Sequence, residues 1–204
     1  MIKVLATLTI LTVSTVGFSF EKTLSSQKWE KHTLSEKVKL TSLGGLELKS
    51  VAHGLRSKKV AFLNFDVYVA ELLLPTSTAW DRKPQTWENS SQSGVIMTFL
   101  RDVPAQNISE AFEAALKKNS VETNTPLYQD FLKKVTAIGD LKKGEVLLVA
   151  RNLSSQEDVL VVEVEGRFQE KISNSQPWTQ NILKIWSGKP ADPGIEAMQK
   201  ALFK

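Results

Sequence analysis

Twice along this chain the apolar residues switch from every-second-residue spacing to helical spacing. A stretch of alternation and short apolar runs covers residues 38–100, ending in "GVIMTFL". Ile108, Ala111, Phe112, Ala115 and Leu116 then recur at three and four. So do Leu127, Tyr128, Phe131, Leu132, Val135 and Ile138. The strand period returns in "EVLLVA" (145–150) and "DVLVVEVEGRF" (158–168), and helical patterns close the chain at 177–186 and 193–203. Spacing of two buries one face of a strand, and spacing of 3.6 buries one stripe of a helix. Strands, two helices, strands, two helices is therefore an α+β order. The expected fold is a large antiparallel sheet with helices layered on one face.

The punctuation agrees. Gly44-Gly45 marks a hairpin turn. Asn107 with Glu110 is expected to cap the first helix. Thr125-Pro126 opens the second and Gly139 stops it. Asp192 caps the last. Residues 76–93, rich in Ser, Thr, Gln, Asn and Pro, are expected to form a loop with one helical turn around Trp80 and Trp87. Residues 20–35 are polar and charged, so 20–36 is expected to be an arm or linker ahead of one domain spanning 37–204.

The first twenty residues, "MIKVLATLTILTVSTVGFSF", have a basic Lys3, an apolar stretch at 4–16, and small residues Gly17 and Ser19. That is the pattern of a cleaved secretory signal, with the cut after Ser19. A membrane span needs about 20 apolar residues, and this segment is short and rich in hydroxyls. The chain has no cysteine. Export without disulfides suits a bacterial periplasmic or secreted protein better than a small eukaryotic secreted domain.

Several chemistries lack their residues. The only histidines are His32 and His53, with no metal-ligand spacing, so no metal is expected. No phosphate-binding glycine loop or serine-nucleophile elbow occurs, and no cofactor is expected. Net charge is +4, but the basic residues are scattered, which argues against nucleic acid.

One stretch stands apart: "HGLRSKKVAFLNFDVYVAELLLP", residues 53–75. A regular strand puts Phe62, Asn64, Asp66, Tyr68 and Ala70 on one face, and Leu63, Phe65, Val67 and Val69 on the other. The mixed face either meets solvent, with Asp66 neutralising Arg56, or looks into a cavity beneath the helices. In a cavity, a guanidinium fork and a phenol would hold a carboxylate or enolate oxygen. His53, Asn64 and Asp66 are the expected neighbours of that site.

This stretch resembles the chalcone isomerase superfamily segment written G-A-G-x-R, then K-V-Y-x-x-G-L-Y-L. "MTFLRDV" (97–103), "ISEAFEAAL" (108–116), Gly139-Asp140 with Gly144, and "LKIWSGKPADPGIEAMQKALF" (183–203) resemble further family segments in the same order. The resemblance implies an open-faced β-sandwich. It also implies that Arg56 and Tyr68 take the positions that hold the fatty-acid carboxylate in the family's binding branch. The helix that carries a tyrosine series in true isomerases reads "NISEAFEAALKKN" here, and Ile185 falls where their threonine would be. The expectation is an exported, non-catalytic binder of a small amphipathic carboxylate, a fatty acid above all. The alternatives are an isomerase or intramolecular lyase using Arg56 and Tyr68 as oxyanion stabilisers, and an envelope protein whose core is filled by its own side chains.

Overall fold

The computed structural model describes residues 20–29 and 32–204. The expected signal segment, 1–19, lies outside the described residues. Among them, eight strands form one antiparallel sheet in strict chain order, from β1 to β8. They are β1 (Glu21–Trp29), β2 (His32–Leu40), β3 (Leu46–Val60), β4 (Leu63–Pro75), β5 (Gln92–Phe99), β6 (Val146–Leu153), β7 (Asp158–Val164) and β8 (Phe168–Asn174). The helices are α1 (Pro84–Glu88), α2 (Ala105–Lys118), α3 (Pro126–Ala137), α4 (Thr179–Ser187) and α5 (Pro193–Leu202). This is the open-faced α+β architecture expected from the alternation of periods.

The helix-covered face holds the larger core, with Tyr68, Leu72, Met97, Phe112, Phe131, Trp178 and Trp186 among its members. Phe112 stacks on Phe131 at 6.2 Å and meets Trp186 edge-on at 5.3 Å. Such aromatic pairs add about 0.5–1.5 kcal/mol each beyond the area they bury. The other face carries a smaller core of Phe20, Val38, Leu40, Leu48, Leu73, Ile96, Val146, Leu148 and Ala150.

That second face is closed by Phe20 and the start of β1. The Phe20 backbone N–H donates to Glu163 Oε1 on β7 at 2.7 Å, across 143 positions. Lys22 pairs with Glu165 at 2.8 Å. The sheet thus curls until its first strand faces its seventh. Residues 21–29 and 32–36 are therefore β1 and part of β2 rather than an arm. Their composition misleads because such a strand buries few residues: in β2 Leu34 and Ser35 are buried, while Thr33 and Glu36 beside them are exposed.

Two further expectations change. The helix expected to be capped by Asn107 starts at Ala105, with no side-chain cap from its own N-cap residue, Pro104. Asp140 supplies the acceptor from another loop, at 3.1 Å from Ala105 N. The single strand expected at 158–168 is broken by Gly166, whose φ of 77° lets the chain turn into β8. β8, "FQEKISN", is an edge strand with one buried apolar residue, Ile172, and its charges make it read as a loop.

Two buried acids tie the layers together. Asp158 is 1% exposed at the start of β7. Its Oδ2 accepts from the backbone N–H groups of Trp178 and Thr179 at 2.6 and 2.8 Å, and its Oδ1 from the Thr179 hydroxyl at 2.6 Å. It thereby fixes the first turn of α4. Glu71 on β4 accepts from the Ser35 N–H at 2.8 Å and from the hydroxyls of Ser35 and Ser50 at 3.3 and 2.9 Å. This joins β4 to β2 and β3. Burial pushes the Glu71 carboxyl above its ordinary range, against the pull of those hydrogen bonds. Between the unfolded value of 4.5 and the higher folded value, the native state binds more protons, so stability falls as pH rises through that window. Glu71→Gln lacks this loss. Its melting temperature relative to wild type should climb by a few degrees as pH rises from the acidic end of that window to about 7, as thermal melts would read.

Candidate functional site

The site is set by the β3–β4 ribbon. Arg56 lies directly opposite Tyr68, and Ser57 opposite Asp66, so Val67 is an extra residue in β4. A β-bulge of this kind resets which face the following residues take. Arg56 and Tyr68 share the helix-covered face, whereas Asp66 goes with Ser57 and accepts its hydroxyl at 2.8 Å. Asp66 and Asn64 are exposed. The alternative in which Asp66 neutralises Arg56 does not form, and the regular alternation behind it is broken at Val67.

Arg56 is 8% exposed. Its Nη2 donates to Asp192 Oδ2 at 2.6 Å, and its Nη1 donates to the Ser57 carbonyl. Asp192 does two jobs: its Oδ1 caps α5, accepting from Gly194 N at 2.8 Å and Ile195 N at 3.0 Å. A Cβ on Gly194 would collide with Arg56 Nη1 and the Ser57 carbonyl, so only glycine lets the start of α5 close over β3.

Tyr68 is 8% exposed, with its ring 5.5 Å from that of Phe99. Burial pushes its phenol up to about 12, although the Arg56 charge pulls the other way. It is thus a neutral donor at any ordinary pH. The Trp186 indole N–H faces it from α4 without closing to a regular hydrogen bond, and is buried with no acceptor among the described residues. The indole N–H is thus directed at the phenol oxygen, while the guanidinium near that phenol is engaged by Asp192 and the Ser57 carbonyl.

His53 is not part of this group. It stands three residues from Arg56, on the opposite face of β3, with its ring 5.4 Å from that of Trp29. Burial lowers its pKa. It lines a separate half-open cleft of about 300 Å³ with Trp29, Trp80 and Arg82. Of the expected residues, the structure brings together Arg56 and Tyr68 and leaves His53, Asn64 and Asp66 elsewhere. Trp186 and Asp192 join instead. Asp192 was legible as a helix cap, but nothing local announces a second partner 136 positions away.

A profile of chalcone isomerase-like proteins matches residues 27–202. The chain belongs to the chalcone isomerase-like family. A solved fatty-acid binding protein from Arabidopsis thaliana has a similar fold, with a TM-score of 0.51 over 78% of this chain and 92% of that one. The two are 15% identical, so the likeness is one of fold. No curated protein matches the sequence. In this chalcone isomerase-like chain α2 presents Phe112 and no tyrosine to the core, and the buried residue at 185 is isoleucine. Among the described residues no helix is long and apolar enough to cross a membrane.

Proposed function

We propose that this protein is an exported, non-catalytic binding protein for a fatty acid or similar amphipathic carboxylate, held by Arg56, Tyr68 and Trp186. The observation that carries the reading is the buried Trp186 N–H, left without an acceptor beside a neutral phenol and a guanidinium. Buried donors are ordinarily satisfied, and an orphan costs about 1–3 kcal/mol. One carboxylate oxygen between Tyr68 and Trp186 would satisfy the indole, and the other would take the place of Asp192 on Arg56. The arrangement offers donors only. Its single carboxylate, Asp192, is committed to Arg56 and to the α5 amides, which leaves no free general base and favours binding over catalysis.

In this reading Asp192 stands where the ligand head group would. Binding would draw Arg56 away from Asp192, loosen the start of α5, and seat the acyl tail among the apolar side chains beneath the helices. Each buried methylene contributes about 0.8 kcal/mol, so the tail supplies most of the affinity and the donors set the orientation. The similar fold of a fatty-acid binding protein supports the ligand class. Lys3, the apolar 4–16 segment, Gly17 and Ser19 support export.

A second reading has an observation of its own. Arg56 already has a counter-charge in Asp192, and aromatic rings pack around Tyr68, as in a filled structural core. Calorimetric titration with a long-chain fatty acid separates the two. Asp192→Asn keeps a good helix cap and removes the competing charge. It should tighten binding by about five- to ten-fold, the equivalent of roughly 1 kcal/mol. No heat of binding in either wild type or Asp192→Asn would sink the ligand reading and leave the filled core.

A further inference from the structure

Glu163 is a buried carboxylate whose partner is incomplete. It is 0% exposed on β7, and its Oε1 takes the Phe20 backbone N–H at 2.7 Å. Its Oε2 is buried with no donor among the described residues. The nearby cation, Lys22, is engaged with Glu165 at 2.8 Å and lies 5.8 Å over the Phe20 ring. A peptide N–H brings one proton and no charge, which leaves a buried anion uncompensated. Phe20 itself is 2% exposed, anchored in the smaller core.

The same atom is singled out by a separate feature. Gly17 and Ser19 are the small residues that place a signal-peptide cut at the Ser19–Phe20 bond. We propose that this bond is a processing site, and that the α-ammonium released on Phe20 is the counter-ion of Glu163. Hydrolysis by a leader peptidase consumes one water. The hydroxyl goes to the Ser19 carbonyl carbon, the C–N bond breaks, and the departing Phe20 amine takes protons to become an ammonium. An α-amine titrates ordinarily at about 7.7–8.0, so it is mostly charged at neutral pH. Its position at 2.7 Å from Oε1 is already that of an ion pair, and its extra protons can serve Oε2. Before processing, burial and the neighbouring Glu165 hold the Glu163 carboxyl above its ordinary range. Cleavage thereby finishes the fold, tying β1 to β7 by charge once the leader has gone.

The inference rests on the export part of the proposed function, and it is read at Glu163 independently of any fatty acid. Protein from a bacterial periplasm should have the intact mass of a chain starting at Phe20, whereas cell-free translation gives the chain from Met1. Glu163→Gln is then compared in both forms. In the Met1 form it removes a poorly compensated anion and should leave the melting temperature unchanged or slightly higher. In the Phe20 form it strands a buried ammonium and should lower it by about 10 °C. The pH dependence has a matching sign. Where the pair forms, its contribution is full below the ordinary α-amine range and is lost as pH rises past it. If processed Glu163→Gln does not fold, wild type alone suffices: its Phe20 amine should resist an amine-acylating reagent in the native state and react in urea. Processing at another bond, equal effects of Glu163→Gln in the two forms, or a freely reactive native Phe20 amine would each overturn the proposal.

Discussion

Arg56→Ala is expected to weaken fatty-acid binding by about ten-fold to a few hundred-fold, the loss that follows from charged hydrogen bonds of roughly 1.5–3 kcal/mol each. The fold should survive the change. Asp192 keeps the α5 amides of Gly194 and Ile195, and its side chain is 42% exposed, so water can replace the lost guanidinium. A partly exposed pair of this kind contributes about 1 kcal/mol or less. Tyr68→Phe deletes one neutral donor and leaves the ring against Phe99, so about a ten-fold loss is expected. Titration and thermal melts on the same samples give both quantities. A variant that melts far lower while wild type shows no affinity would make Arg56 a structural residue, there to fasten α5 to β3.

Asp158→Ala should destabilise the protein by about 3–5 kcal/mol, among the largest effects of any single polar substitution here. It leaves the amides of Trp178 and Thr179 and the Thr179 hydroxyl without their acceptor in a dry site. Asp158→Asn keeps a carbonyl for the amides and should recover most of the loss. Urea unfolding of the three proteins measures this, and a loss below about 1 kcal/mol for alanine would mean that water enters to replace the carboxylate. The change also reaches the site. α4 begins at Thr179 and carries Trp186, so a frayed first turn moves the indole N–H and should weaken the ligand as well.

The strands and helices that bury a full apolar face were legible from spacing alone, as in 94–100 or the α3 stripe. What escaped were strands that expose half their residues. β1, much of β2 and β8 alternate polar and apolar so loosely that their composition resembles linker. At the site, His53 was expected beside Arg56, although the two are an odd number of residues apart and parity along a regular strand puts them on opposite faces, where they lie. Parity failed at Asp66, because a bulge at Val67 is invisible in a run of strand formers. The contributions of Trp186 and Asp192 come from the other end of the chain, and only packing brings them to Tyr68 and Arg56.

The curl that sets Phe20 against Glu163 bears on the order of folding. Every strand pairs with its neighbour in sequence, and β2–β3, β3–β4, β6–β7 and β7–β8 close short loops at small entropic cost, whereas β5 and β6 meet only across α2 and α3. The contact between the first strand and the seventh spans 143 positions and gains from that adjacency only once the strands between have aligned. It belongs on the native side of the barrier, where it leaves the rate of folding almost untouched. Its strength is spent on slowing the reverse reaction, so it governs how long the folded molecule lasts rather than how fast it is made.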